Sequence, residues 1–395
     1  MQKDAGMDFN AVMVATCLGS AISTFIMAFL ANYPIALAPG VGLNAFFVYT
    51  VCLGMGIPWP DALGAVFFSG VIFVALSLIG FRRYVMDMIP TTLKFAIAVG
   101  IGFMICLVGL QWSGIVVDDP VTLVRVDKLT KSSALVAGLG LIVSMVLTCL
   151  RIRGAILMGI AVSGLAALTL GIVKFEGVFS APPSLLPTLF ALKPLAILKI
   201  QFLSVIFVFF MIDLFDTVGT LVGVAELGGF TKGGGEMPRA REALLSDALG
   251  TCAGALLGTS TVTSYVESCS GISDGARTGL ANIVTGTLFI LAIFFSPIVR
   301  MFGSYNPIIA PALIMVGFMM IRGVKYIDWE DASEGIPAFL TIVFIAFSFK
   351  ITEGIGFGII SYTILKLATG QSKAINPALI VLSILFIIQF FYLPF

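Results

Sequence analysis

Residues 258–272 read GTSTVTSYVESCSGI, and five of the six positions from Thr259 to Ser264 carry hydroxyls, with apolar stretches on either side. Ser and Thr clustered with Val favour an extended strand over 259–264. Ser264-Tyr265-Val266-Glu267 then has the Ser-x-x-Glu spacing with which helices start. The segment is therefore expected to run strand, break, half-helix, with Glu267 in the first helical turn.

The solvent around this segment decides what it is for. Of the 395 residues, 59% are hydrophobic and 11% charged, with a mean hydropathy of +1.11, whereas soluble chains carry about 25% charged residues. Apolar runs lie near 9–30, 40–56, 62–80, 91–110, 133–149, 154–172, 198–225, 243–258, 276–298, 308–321, 336–348 and 353–369, and a further one, 376–393, closes the chain. Together they describe spans across a hydrocarbon core of about 30 Å. The alternating pattern of a membrane β-barrel is absent. The chain reads as an all-α polytopic protein of the cell membrane. Extended backbone at membrane depth survives only where protein or a cavity satisfies its polar groups. Glu267 thus has two readings: a helix cap, or a carboxylate that a broken helix presents to a ligand near the midplane.

A second break lies upstream in ANYPIALAPGVGLNAFF, 31–47. Ile35–Ala38 is short and apolar, Pro39 suits a first helical position, and Gly40 and Gly42 permit close backbone approach. Asn44 falls in the early turns of the half-helix that follows. It either lines a site or bonds a neighbouring helix across a simple kink.

The third element is FVFFMIDLFDTVGTLVGVA, 207–225. Asp213 and Asp216 are three apart and so share a helix face, and each costs about 2.5–3.5 kcal/mol at the centre of a membrane helix. A structural pair with Lys94 would explain them, as would a ligand or proton site. Two close carboxylates do not both ionise easily, so one is expected to hold a proton near neutral pH and act as a carrier. Lys94 sits near the start of its span, where it can snorkel. Asp247 lies near the start of its own helix, where the dipole favours a carboxylate.

Other chemistry is excluded by what the chain lacks. It has no histidine, and its six cysteines are scattered singly without metal-ligand or disulfide spacing, so neither metal nor cofactor is indicated. A net charge of +1 without basic runs gives no footprint for nucleic acid. The N-terminus does not read as a signal peptide. Thirteen of the 22 Lys and Arg residues fall on one side if the spans alternate, which makes that side cytoplasmic. LGSAI at 18–22 resembles LGTCA at 249–253, and GAILMGI at 154–160 resembles EGIGFGI at 353–359. Paired halves with a break in each are what inverted-repeat transporters show. The halves are unequal, because nothing before residue 9 matches the span at 198–225.

The blocks ANYPIALAPGVGLNAFF, DLFDTVGTLVGVA, DALGTCAGALLGTSTVTSYVES and GARTGL closely resemble the AzgA-like purine permeases. These are a branch of the nucleobase–cation symporters that also includes uracil and xanthine/uric acid transporters. The similarity runs from about residue 9 to residue 369. It implies a 7+7 inverted repeat in which this chain holds 13 of 14 spans, the first helix being absent. It also implies a division into core (1–80 and 196–298), gate (81–175 and 299–370) and a C-terminal apolar segment (371–395). Carried over, Glu267 and Asp213 would hydrogen-bond the purine, and Asn44 with the backbone near Gly42 would line the pocket. Asp216 would support it, with Tyr265 and Val266 flanking Glu267. Glu267, Asp213 and Asp216 would be the candidates for proton coupling.

The expected activity is proton-coupled uptake of adenine, guanine or hypoxanthine by alternating access. The expected partners are the purine, the proton and the bilayer, with a homodimer left open. An anion or uracil/xanthine transporter of the same architecture is the alternative, and carboxylates facing the site argue against an anion. No filter sequence points to a channel, and no motif points to an intramembrane enzyme.

Overall fold

The computed structural model describes residues 2–40, 43–44, 46–79, 89–152, 154–175, 177–193, 200–231, 237–371 and 375–392. The polar run at 259–264 does become a strand, shorter than its hydroxyls suggest. The first quarter of the chain forms α1 (Phe9–Ile26, continued by a π-wound turn to Ala31), β1 (Leu37–Pro39), α2 (Phe46–Gly54, π-wound), α3 (Trp59–Leu78) and α4 (Thr91–Trp112). A hairpin of β2 (Val116–Asp119) and β3 (Leu123–Val126) follows, then α5 (Ser132–Cys149) and α6 (Ala155–Thr169).

The second half repeats the theme. α7 (Ile200–Gly228) and α8 (Ala240–Leu257) lead into β4 (Val262–Ser264) and the six-residue α9 (Ser268–Ser273). Then come α10 (Leu280–Phe294), α11 (Ser296–Gly303), α12 (Ala310–Met320), α13 (Ala332–Ser348), α14 (Ile351–Ala368) and α15 (Pro377–Tyr392). Among the described residues six helices are long and apolar enough to cross a membrane, or seven if the pair α10–α11, bent by 97°, counts as one. α6, α13 and α15 are apolar but shorter.

Packing sorts most helices into two groups. α1 lies on α8 and α10, and α3 on α7 and α8. α4 lies on α12 and α13, α5 on α6, and α13 on α14, along which α15 also packs. α7 touches both groups, meeting α3 on one side and α4 and α14 on the other. LGSAI and LGTCA sit in α1 and α8, the helices that precede the paired strands β1 and β4.

β1 and β4 pair antiparallel, Leu37 opposite Ser264, Ala38 opposite Thr263 and Pro39 opposite Val262. Pro39 is thus the last strand residue and not the first of a helix; having no N–H to donate, it suits the end of a ladder. A two-stranded sheet leaves two outer edges, and in an apolar setting those need partners. Thr24 of α1 supplies them for β1, its Oγ accepting from Leu37 N–H at 3.0 Å and donating to Leu37 C=O at 3.1 Å. Thr251 of α8 donates to Val262 C=O at 2.8 Å on the far side of β4. Both threonines are fully buried.

The approach to β1 is pinned from the second half of the chain. Asn32 adopts a left-handed conformation (φ 54°) and its Oδ1 accepts from Gly279 N–H at 2.8 Å. Asn282 Nδ2 donates to Ile35 C=O at 2.7 Å. Gly279 is required here, since an added Cβ would lie 2.4 Å from Ala28 O.

The hairpin lies between the apolar runs at 91–110 and 133–149. Its turn is held by Asp119, whose carboxylate accepts from the N–H groups of Val121 and Thr122 at 2.9 Å each. The backbone donors of Thr122 and Val121, then the Thr122 hydroxyl and Arg125, hold the Asp119 carboxyl below its usual range.

Candidate functional site

Two interrupted spans meet where β1 and β4 pair. Beyond the ladder the contact continues through Tyr265 N–H to Ala36 C=O at 2.9 Å, and through Ala36 N–H to Ser268 Oγ at 3.0 Å. The first bonds of the short helix run from Ser268, Cys269 and Ser270 N–H back to Tyr265, Val266 and Glu267 C=O. Glu267 therefore stands at the helix boundary, and its side chain makes no capping bond. Ser264 Oγ finds no hydrogen-bond partner among the described residues, so the Ser-x-x-Glu spacing does not close into a capping box. The Glu267 side chain is instead exposed at the crossing.

The two aspartates of α7 part company. Asp216 is half-buried; its Oδ2 accepts from Thr263 Oγ at 3.4 Å, and Glu267 lies within its electrostatic reach. Asp213 is wholly buried and lies within electrostatic reach of Cys252 of α8. Three residues of α-helix offset two side chains by only about 60°, so the carboxylates share a face and differ in burial, one at its edge toward the crossing and the other within the packing. Lys94 is also buried and lies within electrostatic reach of Glu226, further along α7.

Asn44 is tied to the other end of the ladder. Its Oδ1 accepts from Ser260 Oγ, just before β4, and from Gln2 Nε2 at 2.8 Å. It bonds neither Glu267 nor Asp216 among the described contacts. Gly42 lies outside the described residues. Tyr265 OH donates to Pro39 C=O at 3.1 Å, bracing β4 against β1. Val266 is buried in the main apolar cluster beside Cys269 and Ile272. Gly40 is where close approach matters: an added Cβ would lie 2.7 Å from Thr263 Cγ2 and 3.8 Å from Asp216 Oδ2.

Behind Asp216 the structure holds a polar chain that sequence reading missed. Thr263 Oγ lies 3.1 Å from Thr217 Oγ, and Thr217 Oγ donates to Asp247 Oδ2 at 2.9 Å. Thr217, Thr263 and Asp247 are all buried. Asp247 sits eight residues into α8, beyond the first turn where a helix dipole acts. The signal available in sequence was its depth in that helix.

This arrangement can accept hydrogen bonds from a small polar molecule through two carboxylates of different burial. Among the described residues no group of His, Cys, Asp or Glu is placed to hold a metal ion.

The comparisons with known proteins agree with this architecture. The Xan_ur_permease profile, described as Permease family, matches residues 1–357. The chain is 43% identical over 390 residues to the guanine/hypoxanthine permease PbuG of Bacillus subtilis, covering 98% of this chain and 88% of that one. It is 40% identical over 389 residues to the adenine permease AdeP of Escherichia coli, covering 98% and 87%. Among solved structures, the transmembrane domain of the cyanobacterial bicarbonate transporter BicA aligns with a TM-score of 0.55 at 16% identity, covering 88% of this chain and 92% of that one. That likeness concerns the fold alone; one scaffold carries unlike cargoes. The chain therefore belongs to the permease family that includes adenine and guanine/hypoxanthine permeases, and is an integral membrane transporter and not an enzyme.

Proposed function

We propose that this chain carries purine nucleobases inward in symport with protons, by alternating access. The observation that supports this best is the meeting of an exposed Glu267 with a half-buried Asp216 where two interrupted spans cross. A neutral purine offers N–H donors, and ionised carboxylates are pure acceptors. Glu267 and Asp216 bind the base directly in this reading, and Asp213 supports them from within the packing. Tyr265, Val266 and Asn44 fix the frame, and Gly42 lets the backbone approach the ligand.

The two packing groups act as core (1–80 and 196–298) and gate (81–175 and 299–370) of a 7+7 inverted repeat, with 13 spans in this chain and 371–395 as an appendage. Core moves against gate as a body, exposing the crossing first to one side and then to the other. Protonation of a site carboxylate couples the two ligands, since each then changes the affinity for the other by the same factor. A homodimer is the assembly proposed.

Uptake of radiolabelled adenine, guanine, hypoxanthine, xanthine, uracil and bicarbonate into proteoliposomes tests this reading. Accumulation of at least one purine, collapsed by a protonophore, is expected. Uptake of bicarbonate or uracil without any purine would refute it.

A further inference from the structure

We propose that Asp216 and Asp247 share a single acid proton through Thr263 and Thr217, which makes Asp247 a second station for the coupled proton. The inference rests on counting donors. Three hydrogen bonds link four groups in a row: Asp216 to Thr263 at 3.4 Å, Thr263 to Thr217 at 3.1 Å, and Thr217 to Asp247 at 2.9 Å. Each hydroxyl owns one proton, and an ionised carboxylate owns none. Two hydroxyl protons cannot fill three bonds. If both threonines donated to their carboxylates, their oxygens would face each other at 3.1 Å with no proton between them, in a buried site where unpaired lone pairs are costly.

Filling all three bonds takes one protonated carboxyl, and two arrangements do so. With the proton on Asp216, that carboxyl donates to Thr263, Thr263 to Thr217, and Thr217 to ionised Asp247. With the proton on Asp247 every bond points the other way. Passage from the first to the second breaks the O–H bonds of Asp216, Thr263 and Thr217 and forms new ones on Thr263, Thr217 and Asp247, so one proton leaves one end as another arrives at the other. No water or further co-reactant is needed, and net charge is conserved.

The surroundings make the two ends unequal. Glu267 faces Asp216 from the short helix after β4, so negative charge or a bound ligand there acts on the Asp216 end first. Asp247 is wholly buried, with Glu242 about 1.4 turns earlier on its own helix. Of the charged groups on helices packed against α8, Asp213 acts on Cys252, five positions beyond Asp247. An ionised Glu267 thus keeps the proton at the Asp216 end; neutralising Glu267, or donating N–H groups from a ligand to Asp216, sends it toward Asp247, and the reverse change brings it back.

The proposal rests on proton coupling only for its use in transport; the shared proton itself has its own readout. Infrared difference spectra of the full chain in detergent at neutral pH count protonated carboxyls by their C=O stretch. An Asn amide at either end would donate into the row and remove the need for an acid proton. D216N, D247N and the double variant are therefore each expected to remove the same one band. Loss of one band in each single variant and of two in the double, or of none, would overturn the proposal.

Should an Asn variant fail to yield monodisperse protein, T217V cuts the row by deleting one hydroxyl. It is expected to lose at least tenfold of protonophore-sensitive adenine accumulation in proteoliposomes while adenine counterflow persists, with T217S restoring accumulation. Wild-type accumulation by T217V would overturn the relay. Protonophore-insensitive accumulation by the wild type would instead overturn the symport reading, leaving the band count to decide the shared proton.

Discussion

The hydroxyl of Thr24 brackets a single backbone residue, accepting from Leu37 N–H at 3.0 Å and donating to its C=O at 3.1 Å. A valine there would strip both groups of their partner in a buried site, at about 1–3 kcal/mol for each unsatisfied group. T24V is expected to lower the melting temperature in detergent and abolish purine uptake, and T24S to restore both. A T24V protein that melts like the wild type would show that the edge of β1 is satisfied by other means.

Gly40 lets β1 and α7 close on Thr263. An alanine methyl 2.7 Å from Thr263 Cγ2 forces the strands apart, and overpacking of this kind costs about 1–3 kcal/mol. G40A is expected to reduce adenine uptake at least tenfold. Because serine keeps the hydroxyl and lacks the clashing methyl, G40A/T263S should recover part of it. Independent, additive losses in the double variant would sink this account.

The differing burial of the α7 aspartates separates their roles. E267Q and D216N are expected to raise the adenine KM about tenfold or more, equivalent to roughly 1.4 kcal/mol of binding. D213N, wholly buried, is expected to leave KM within about twofold and to lower the yield of folded protein. Dose–response uptake in the three variants checks this, and a larger KM change in D213N than in D216N would reverse the assignment.

Asp119 predicts a local pH response outside the membrane. Folding lowers its carboxyl through the backbone donors of Thr122 and Val121. Such a group adds stability that is fully present above the unfolded value, about 3.9, and is lost as pH falls through the folded one. Amide exchange at Val124, corrected for its intrinsic pH dependence, should therefore quicken below that range in the wild type. D119N should show the faster exchange at every pH.

Lys366 is buried at the end of α14, with Glu334 Oε1 at 2.9 Å, Asp331 Oδ2 at 3.5 Å, Ser333 Oγ at 2.7 Å and Gln371 Oε1 at 2.8 Å. Removing one partner of a buried ion pair costs about 3–5 kcal/mol, less here because Asp331 is partly exposed. K366M is expected to lower the melting temperature markedly, and K366M/E334Q to recover part of the loss. Equal melting of K366M and wild type would mark the cluster as energetically neutral.

Sequence made the membrane class and both breaks readable, because apolar runs, hydroxyl clusters and Pro-Gly pairs are local signals. GTSTVT therefore marked where a strand would lie, while LAPG marked a break whose Pro39, suited to a helix start, is instead the last residue of β1. The strand's length did not show: β4 holds three residues, and the Ser260 hydroxyl just before it bonds Asn44, more than 200 positions away. Spacing put Asp213 and Asp216 on one face but could not fix how α7 is rotated against its neighbours. Asp247 was assigned to a helix dipole because its partner, Thr217, is 30 positions away. The β2–β3 hairpin escaped notice because its stabilising turn is closed by one aspartate side chain, not by a Gly-rich loop.

Thr24 and Thr251 also determine what can never dock at the crossing. Strand addition needs a row of unused N–H and C=O groups, and both margins of this small sheet already have hydroxyl occupants. A peptide consequently has no template to extend there. Whatever reaches the crossing must then be recognised by side chains and not by strand pairing.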